Sequence, residues 1–224
     1  MFEAHFQTFD EAETGVALAA RLKALREELK RRKLSGFVVP RADRQQNEYV
    51  APSEERLAWL TGFTGSAGLA VVLTNEAALF VDGRYTLQAG KQVDRKAWHV
   101  EPLVDPPPEH WLGKHLVAGD RLGFDPWLHT SAAAERLATA CTRAGAELIA
   151  VDINPVDSIW TERPRPPLGP VAVHGTHYSG EAEAKSSSAS GWRSQNSASM
   201  RWCCRIRMRW SMNTMGRPSF GTSA

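Results

Sequence analysis

The apolar patterning of this chain stops at Lys185, so whatever core it builds must come from the residues before that point. Residues 186–224 hold no Leu, Val, Lys, Asp, Glu, Tyr or His, yet carry ten Ser, six Arg, four Met and three Trp. Neither a 3.6-residue nor a 2.0-residue apolar period survives there. Such a segment offers too little apolar surface to offset the entropy of ordering it. The charge divides at the same place. Residues 1–185 hold 21 Lys and Arg against 25 Asp and Glu, and the six tail Arg face no acid, so the net +2 of the whole chain hides a mildly acidic body and a basic tail.

Before the break, the pattern is that of an α/β domain. Leu18, Leu22, Leu25 and Leu29 recur at i, i+4, i+7 and i+11 among charged residues, which predicts one helix from about Thr14 to Lys33, ended by Ser35-Gly36. Phe37-Val38-Val39-Pro40 reads as a buried strand. Pro52-Ser53-Glu54-Glu55 opens a second helix, with Ser53 as N-cap and Gly62 as its end. Residues 69–74 and 77–81 flank Asn75-Glu76 and read as a hairpin, which excludes a purely parallel sheet. Further strands are expected at 99–103, 121–125 and 147–151, with helices near 111–116 and 131–144. The fold class expected is a mixed β-sheet flanked by helices. Arg163-Pro164-Arg165-Pro166-Pro167 reads as a stiff, solvated boundary. The expected organisation is a domain over 1–165, the start of an incomplete second α/β domain over 166–185, and an irregular tail over 186–224.

No apolar run approaches the roughly 20 residues a bilayer span needs, and the N-terminus lacks the basic and apolar regions of a secretory leader. Three Cys make no disulfide framework, and Cys141 reads as a small buried thiol. A cytoplasmic location is expected.

Three readings of the tail stay open: a basic Trp/Arg segment for nucleic acid or an anionic membrane, an unusual structured insert, and a coding-frame shift near Lys185. The genetic code favours the third. Joining the third base of each codon to the first two of the next, Trp202-Cys203 can encode only Val and Cys203-Cys204 only Leu. Arg201-Trp202 allows only Leu, Met or Val, and Met200-Arg201 only Ala or Glu. From Asn196 to Ile206 the hidden frame can therefore read Leu-Gly-x-Asp-Ala-Leu-Val-Leu-Ser-Asp, a helix end, a glycine cap, a buried strand and a turn.

Six segments together carry a family resemblance. They are residues 37–43 (Phe-Val-Val-Pro-Arg-Ala-Asp), 47–52 (Asn-Glu-Tyr-Val-Ala-Pro), 60–68 (Leu-Thr-Gly-Phe-Thr-Gly-Ser-Ala-Gly), 81–89 (Val-Asp-Gly-Arg-Tyr-Thr-Leu-Gln-Ala), 123–126 (Gly-Phe-Asp-Pro) and 154–164 (Asn-Pro-Val-Asp-Ser-Ile-Trp-Thr-Glu-Arg-Pro). In this order the chain resembles the first domain of three-domain, aminopeptidase P-type Xaa-Pro aminopeptidases, within the creatinase/prolidase N-terminal group. The resemblance implies a parent hydrolase that removes the N-terminal residue preceding proline. It also implies two divalent metal ions, usually manganese, held by Asp, Asp, His, Glu and Glu in a C-terminal domain, where they activate water and polarise the scissile carbonyl. Those ligands are absent from these residues, so the expectation is a truncated chain with no catalytic residue, no metal site and no cofactor of its own. Two rivals accompany it: a non-catalytic dimerisation module, and an Arg/Trp-tailed nucleic-acid- or membrane-binding protein.

The resemblance further implies homo-oligomer contacts through the first domain, a peptide substrate only in the intact enzyme, and no nucleic-acid or membrane partner. It also implies that the first domain can lend residues to a neighbouring active site. Arg84 is the leading candidate, a guanidinium after a Gly turn that suits a carboxylate or carbonyl. The alternative is a salt bridge holding the Asp82–Tyr85 turn. Tyr85 and Phe63 are the other substrate-adjacent candidates, Phe63 being equally readable as a core aromatic. Gly62, Gly65 and Gly68, with Asp82 and Gly83, read as structural loop residues. A P-loop is excluded because no Lys-Ser/Thr follows. Asp43, Glu48, Asp82 and Asp125 read as turn and cap residues, and Trp59, Trp111, Trp127 and Trp160 as core or interdomain anchors. The seven His read as solvated or locally bonded.

Overall fold

The structure, a computed structural model of the chain, describes residues 15–169 and 175–180. It divides into two units, Met1–Leu168 and Gly169–Ala224. The expectations for residues 1–14, 170–174 and 181–224, including the whole tail, lie outside the described residues.

In the first unit, α1 (Gly15–Arg31) buries its leucine stripe as its spacing demands: Leu18, Leu22, Leu25 and Leu29 are all buried. The helix does not end at Ser35-Gly36. Lys33 takes the left-handed turn at φ 57°, and Leu34 N–H returns to the Leu29 carbonyl at 2.9 Å. Gly36 is needed inside β1 (Gly36–Pro40) instead, because a Cβ there would meet Leu73 Cδ2 at 2.4 Å. A 3-10 turn (Pro52–Glu54) precedes α2 (Arg56–Thr61). Ser53 is therefore no N-cap: it is buried within the turn, and α2 starts after Glu55 without a side-chain cap. Gly62 ends α2 at φ 78°, as expected.

The hairpin forms as β2 (Gly68–Leu73) and β3 (Ala77–Val81), antiparallel with Val71 opposite Ala78. After a 3-10 turn (Gly83–Tyr85) comes α3 (Thr86–Gln92), then β4 (His99–Pro102) and α4 (Pro108–His115). Next follow β5 (Arg121–Phe124), α5 (Ser131–Ala144), β6 (Glu147–Ala150) and α6 (Pro155–Ile159). Thr130 Oγ1 caps α5 by accepting from Ala133 N–H at 3.2 Å, and Gly145 closes it at φ 72°. In the second unit the described residues form α7 (Thr176–Ser179).

Among the described residues, six strands form one sheet in the order β4-β3-β2-β1-β5-β6. Only β2 runs against its neighbours; β1–β5, β5–β6 and β3–β4 are parallel. The sheet is thus mixed, as the hairpin requires. Period-2 alternation sends Phe37 and Val39 to one face, with Leu25, Leu60 and Val156, and Val38 to the other, with Val71, Phe80 and Leu122. Helices cover both faces, which is why β1 and β3 read as unbroken apolar runs. One consequence positions everything below. The carboxyl ends of β1, β3, β4, β5 and β6 and the amino end of β2 meet at a single edge.

Candidate functional site at the carboxyl edge of the sheet

All six motif segments meet at that edge. The segment after β1 is stitched to β2 by Arg41 N–H donating to the Gly68 carbonyl at 3.0 Å. The Arg41 guanidinium donates to the Glu48 carbonyl and to Glu55 Oε1 at 3.2 Å. Asp43 accepts from the N–H groups of Gln45 and Asn47 and from Asn47 Nδ2, so its role is to hold the loop. Burial alone would raise the pKa of Asp43; the hydrogen bonds from Asn47 and Gln45 outweigh it and leave the pKa lowered.

The glycine loop after α2 is shaped around Phe63. Phe63 is 1% exposed. A Cβ on Gly65 would lie 2.2 Å from Phe63 Cζ, and one on Gly68 would lie 2.9 Å from Phe63 Cε1. These glycines make room for an aromatic core residue, and Phe63 is placed in the core rather than on an open surface. Gly62 is required twice over, by its φ of 78° and by Leu18 Cδ1, 2.8 Å from where a Cβ would sit. Tyr85 meets the Phe63 ring edge-on at 5.9 Å, and its hydroxyl lies 2.5 Å from Ser66 Oγ. Phe63, Ser66 and Tyr85 thus come together from two segments.

Arg84 stands beside them. Asp82 Oδ1 accepts from Arg84 N–H at 3.0 Å and from Arg84 Nε at 2.8 Å. The Arg84 side chain is 71% exposed, and its guanidinium lies 5.4 Å from the Tyr85 ring centroid. The bond from Arg84 lowers the Asp82 pKa, and Asp82 raises that of Arg84. The hydrogen bond to Ser66 lowers the Tyr85 pKa, with a smaller contribution from Arg84. Gly83 has open space where a Cβ would stand, so the turn does not depend on it sterically.

At the end of β5, Asp125 is buried and accepts from Trp127 N–H at 2.9 Å and from Asn154 Nδ2 at 3.0 Å, joining the β5 and β6 ends. The Asp125 carbonyl lies 2.8 Å from His129 Nδ1; a carbonyl only accepts, so Nδ1 carries the hydrogen. Burial lowers the His129 pKa. Trp127 is 42% exposed, under the Arg44 guanidinium at 5.7 Å, whereas Trp111 and Trp160 are buried and Trp59 stacks on Trp160 at 5.2 Å.

Two features have no local sequence signature. The first is an ionic box behind the edge. Arg56, 1% exposed, donates to Asp157 through Nε at 2.6 Å and Nη2 at 3.0 Å, and to Glu54 at 2.6 Å. Arg163 closes it, 2.8 Å from Glu54 and 2.9 Å from Asp157, and donates to the Ser53 carbonyl. Arg163 was expected in a solvated connector; these bonds tie it to the domain. The second is a cavity of about 230 Å³ lined by Phe80, His99, Glu101, Trp111, Lys114 and His115, with His110 also at its wall. His115 stacks on Trp111 at 4.0 Å and lies 2.5 Å from Glu76 Oε2. Three histidines that look scattered in sequence share this cavity. Even so, among the described residues no group of three His, Cys, Asp or Glu is arranged to hold a metal ion. No helix among them is long and apolar enough to cross a membrane.

The class is defined by this sheet and its edge. Residues 21–158 match the creatinase/prolidase N-terminal domain, and the chain belongs to that family. Its relatives are aminopeptidases. The probable Xaa-Pro aminopeptidase P of Coccidioides posadasii is 37% identical over 185 residues, covering 81% of this chain and 28% of the relative. Human Xaa-Pro aminopeptidase 2 is 40% identical over 152 residues, covering 67% and 22%. The crystal structure of X-prolyl aminopeptidase from Caenorhabditis elegans, described as a cytosolic enzyme with a di-nuclear active site, superposes with a TM-score of 0.70 at 31% identity, covering 75% of this chain and 29% of that one. The chain thus spans between a fifth and three tenths of the length of these relatives, and the part it matches is the N-terminal domain.

Proposed function

We propose that this chain supplies the non-catalytic N-terminal portion of an aminopeptidase P-type metallopeptidase, and that its carboxyl edge helps to shape the peptide-binding cleft of the intact enzyme. The observation that carries this reading is Arg84: an exposed guanidinium at the end of β3, oriented by Asp82 and flanked by Tyr85. Because Asp82 is bonded through Nε, the two Nη groups are the ones that would grip a peptide carboxylate or carbonyl. The chemistry itself would belong to two divalent ions, manganese in the family at large, held by the remainder of the enzyme; none of the described residues here would ligate them. A cytosolic location, as for the C. elegans relative, and contacts between copies in the intact enzyme complete the proposal.

The test is a fusion. The full 224-residue chain is followed, in one polypeptide, by the C. elegans sequence that lies beyond the matched first 29%. Cleavage of an Xaa-Pro peptide with manganese, absent for the chain alone and reduced in the fusion by Arg84→Met, supports the reading. A fusion that is folded and metal-loaded but whose turnover is indifferent to Arg84→Met overturns it for Arg84.

A further inference from the structure

Strand β4 and helix α4 bound the cavity of about 230 Å³ described above. Phe80 lies opposite Glu101 in the β3–β4 ladder, and His99 is two residues from Glu101, so the period-2 alternation puts all three on one face of the sheet. On α4, His110 and Lys114 stand at i and i+4, as do Trp111 and His115, and all four line the cavity. Its apolar floor is built. Phe80 and Trp111 are buried and meet edge-on at 6.0 Å, and His115 stacks on Trp111 at 4.0 Å. His115 is itself engaged, 2.5 Å from Glu76 Oε2, so it orients the wall.

Four polar side chains of the lining remain: His99, Glu101, His110 and Lys114. Among the described residues, none of the four has a side-chain hydrogen bond or ion pair. Elsewhere in the domain, Glu28, Glu54, Glu55, Asp82 and Asp157 are each answered by an arginine. Here Glu101 on β4 and Lys114 on α4 carry opposite charges into one cavity and do not pair with each other.

One charge of each sign, held on separate elements over an apolar floor, complements a small zwitterion. The Glu101 carboxylate accepts from an ammonium, the Lys114 ammonium donates to a carboxylate, and the imidazoles of His99 and His110 add ring nitrogens that donate or accept. A simple anion would be opposed by Glu101, and a simple cation by Lys114. A zwitterion is opposed by neither. Phe80, Trp111 and Pro106 offer apolar surface to a side chain. The volume sets the size of the ligand. It lies below the range of about 300–1,000 Å³ typical of pockets for drug-sized molecules, so one amino acid suits it better than a longer peptide.

We propose that the cavity between β4 and α4 binds a free apolar α-amino acid, with Glu101 taking the α-ammonium, Lys114 the α-carboxylate, and Phe80 and Trp111 the side chain. The proposal does not rest on the functional reading above, and its test reads binding rather than turnover.

Saturation-transfer NMR of the full 224-residue chain with L-leucine tests it. Two analogues separate the charges: isocaproate lacks the ammonium, and isoamylamine lacks the carboxylate. Leucine should bind saturably, and each analogue about tenfold more weakly, the loss expected for one charged hydrogen-bonding group. Glu101→Gln should weaken leucine by a similar factor and leave isocaproate unchanged. Lys114→Met should weaken leucine and leave isoamylamine unchanged. Neither side chain has a partner to lose, so both variants should unfold at the temperature of the parent chain. The analogue series needs no substitution and decides the question even where a variant does not fold. No saturable binding of leucine at millimolar concentration overturns the inference. Equal binding of leucine and isocaproate, or of leucine and isoamylamine, also overturns it, since one of the two charges would then take no part. Leucine binding that is indifferent to both substitutions places the ligand elsewhere and overturns it too.

Discussion

Arg56 and Asp157, 101 residues apart in sequence, form a two-point ion pair with Nε–Oδ1 at 2.6 Å and Nη2–Oδ2 at 3.0 Å. The pair fixes the start of α2 to α6. Burial alone would lower the Arg56 pKa; its hydrogen bonds to Asp157 and Glu54 reverse this and leave it raised. Removing one partner of a buried pair strands the other charge, at about 3–5 kcal/mol. Asp157→Asn should cost about 3 kcal/mol, because Glu54 still faces Arg56. Urea unfolding of Asp157→Asn, Arg56→Met and the double variant should show the double variant costing less than the sum. Additive losses would mean that the two side chains are not coupled.

Gly65 and Gly83 stand in adjacent motifs and should respond oppositely to alanine. At Gly65 the new methyl collides with the Phe63 ring at 2.2 Å, and that ring is enclosed, so Gly65→Ala should cost about 1–3 kcal/mol. At Gly83 nothing lies within 4 Å, and the alanine should be neutral or stabilise by about 0.4–1 kcal/mol by restricting the unfolded chain. Thermal unfolding of the two variants side by side separates these outcomes.

That contrast also marks what sequence can convey. The leucine stripe of α1, the hairpin and the exact span of α5 from Ser131 to Ala144 follow from local periodicity and caps, and they stand as read. Helix α3 is invisible to the same reasoning, because Thr86–Gln92 buries only Ala89 and leaves Leu87 outside, so no apolar stripe exists. Helix α6 has five residues, too few for a period to show. Turn roles for Asp43, Asp82 and Asp125 were legible because such bonds are local. The box of Arg56, Glu54, Asp157 and Arg163 was not, since a pairing across about a hundred residues leaves no spacing to read. The edge was half legible: the motifs could be read, but that they share one edge depends on strand directions.

Glu28 links α1 to pH. It accepts from Arg31 at 2.6 and 2.8 Å and from Arg32 at 2.6 Å, and Arg32 in turn reaches Ser158 after α6 begins. The Arg31 hydrogen bonds, with help from Arg32, lower its pKa to about 2. The unfolded value is near 4.3, so the folded form is the one that holds its proton less tightly. Its stabilisation is therefore complete above about pH 4.5 and is lost as pH falls toward 2. Allowing for solvent screening, the effect is on the order of 1–2 kcal/mol. Glu28→Gln should lower stability at pH 7 and flatten the stability curve between pH 4.5 and 2; an unchanged slope would remove Glu28 as its source.

Cys141 faces the core between α5 and the sheet, 1% exposed, and burial pushes its thiol up to about 11. Thiolate, not thiol, is the nucleophile. Iodoacetamide at pH 8 should leave the peptide containing Cys141 unmodified in the folded chain and label it on addition of urea, as read by mass spectrometry. Rapid labelling without denaturant would show that the α5 face opens.

The tail carries a prediction of its own, which rests on codons. We propose that the reading frame shifts near Lys185, because the second frame across Asn196–Ile206 is forced to Val and Leu where a buried strand needs them. The visible frame there has no period of its own. The nucleotide sequence should place a base insertion or deletion close to codon 185, and restoring the frame should extend the match to aminopeptidase P-type relatives beyond the present domain. A gene with no inserted or deleted base near codon 185, whose second frame runs into stop codons at the unforced positions, would return the Trp/Arg tail to the status of a native segment. Salt-dependent nucleic-acid binding, lost on deleting residues 186–224, would then be the property to measure.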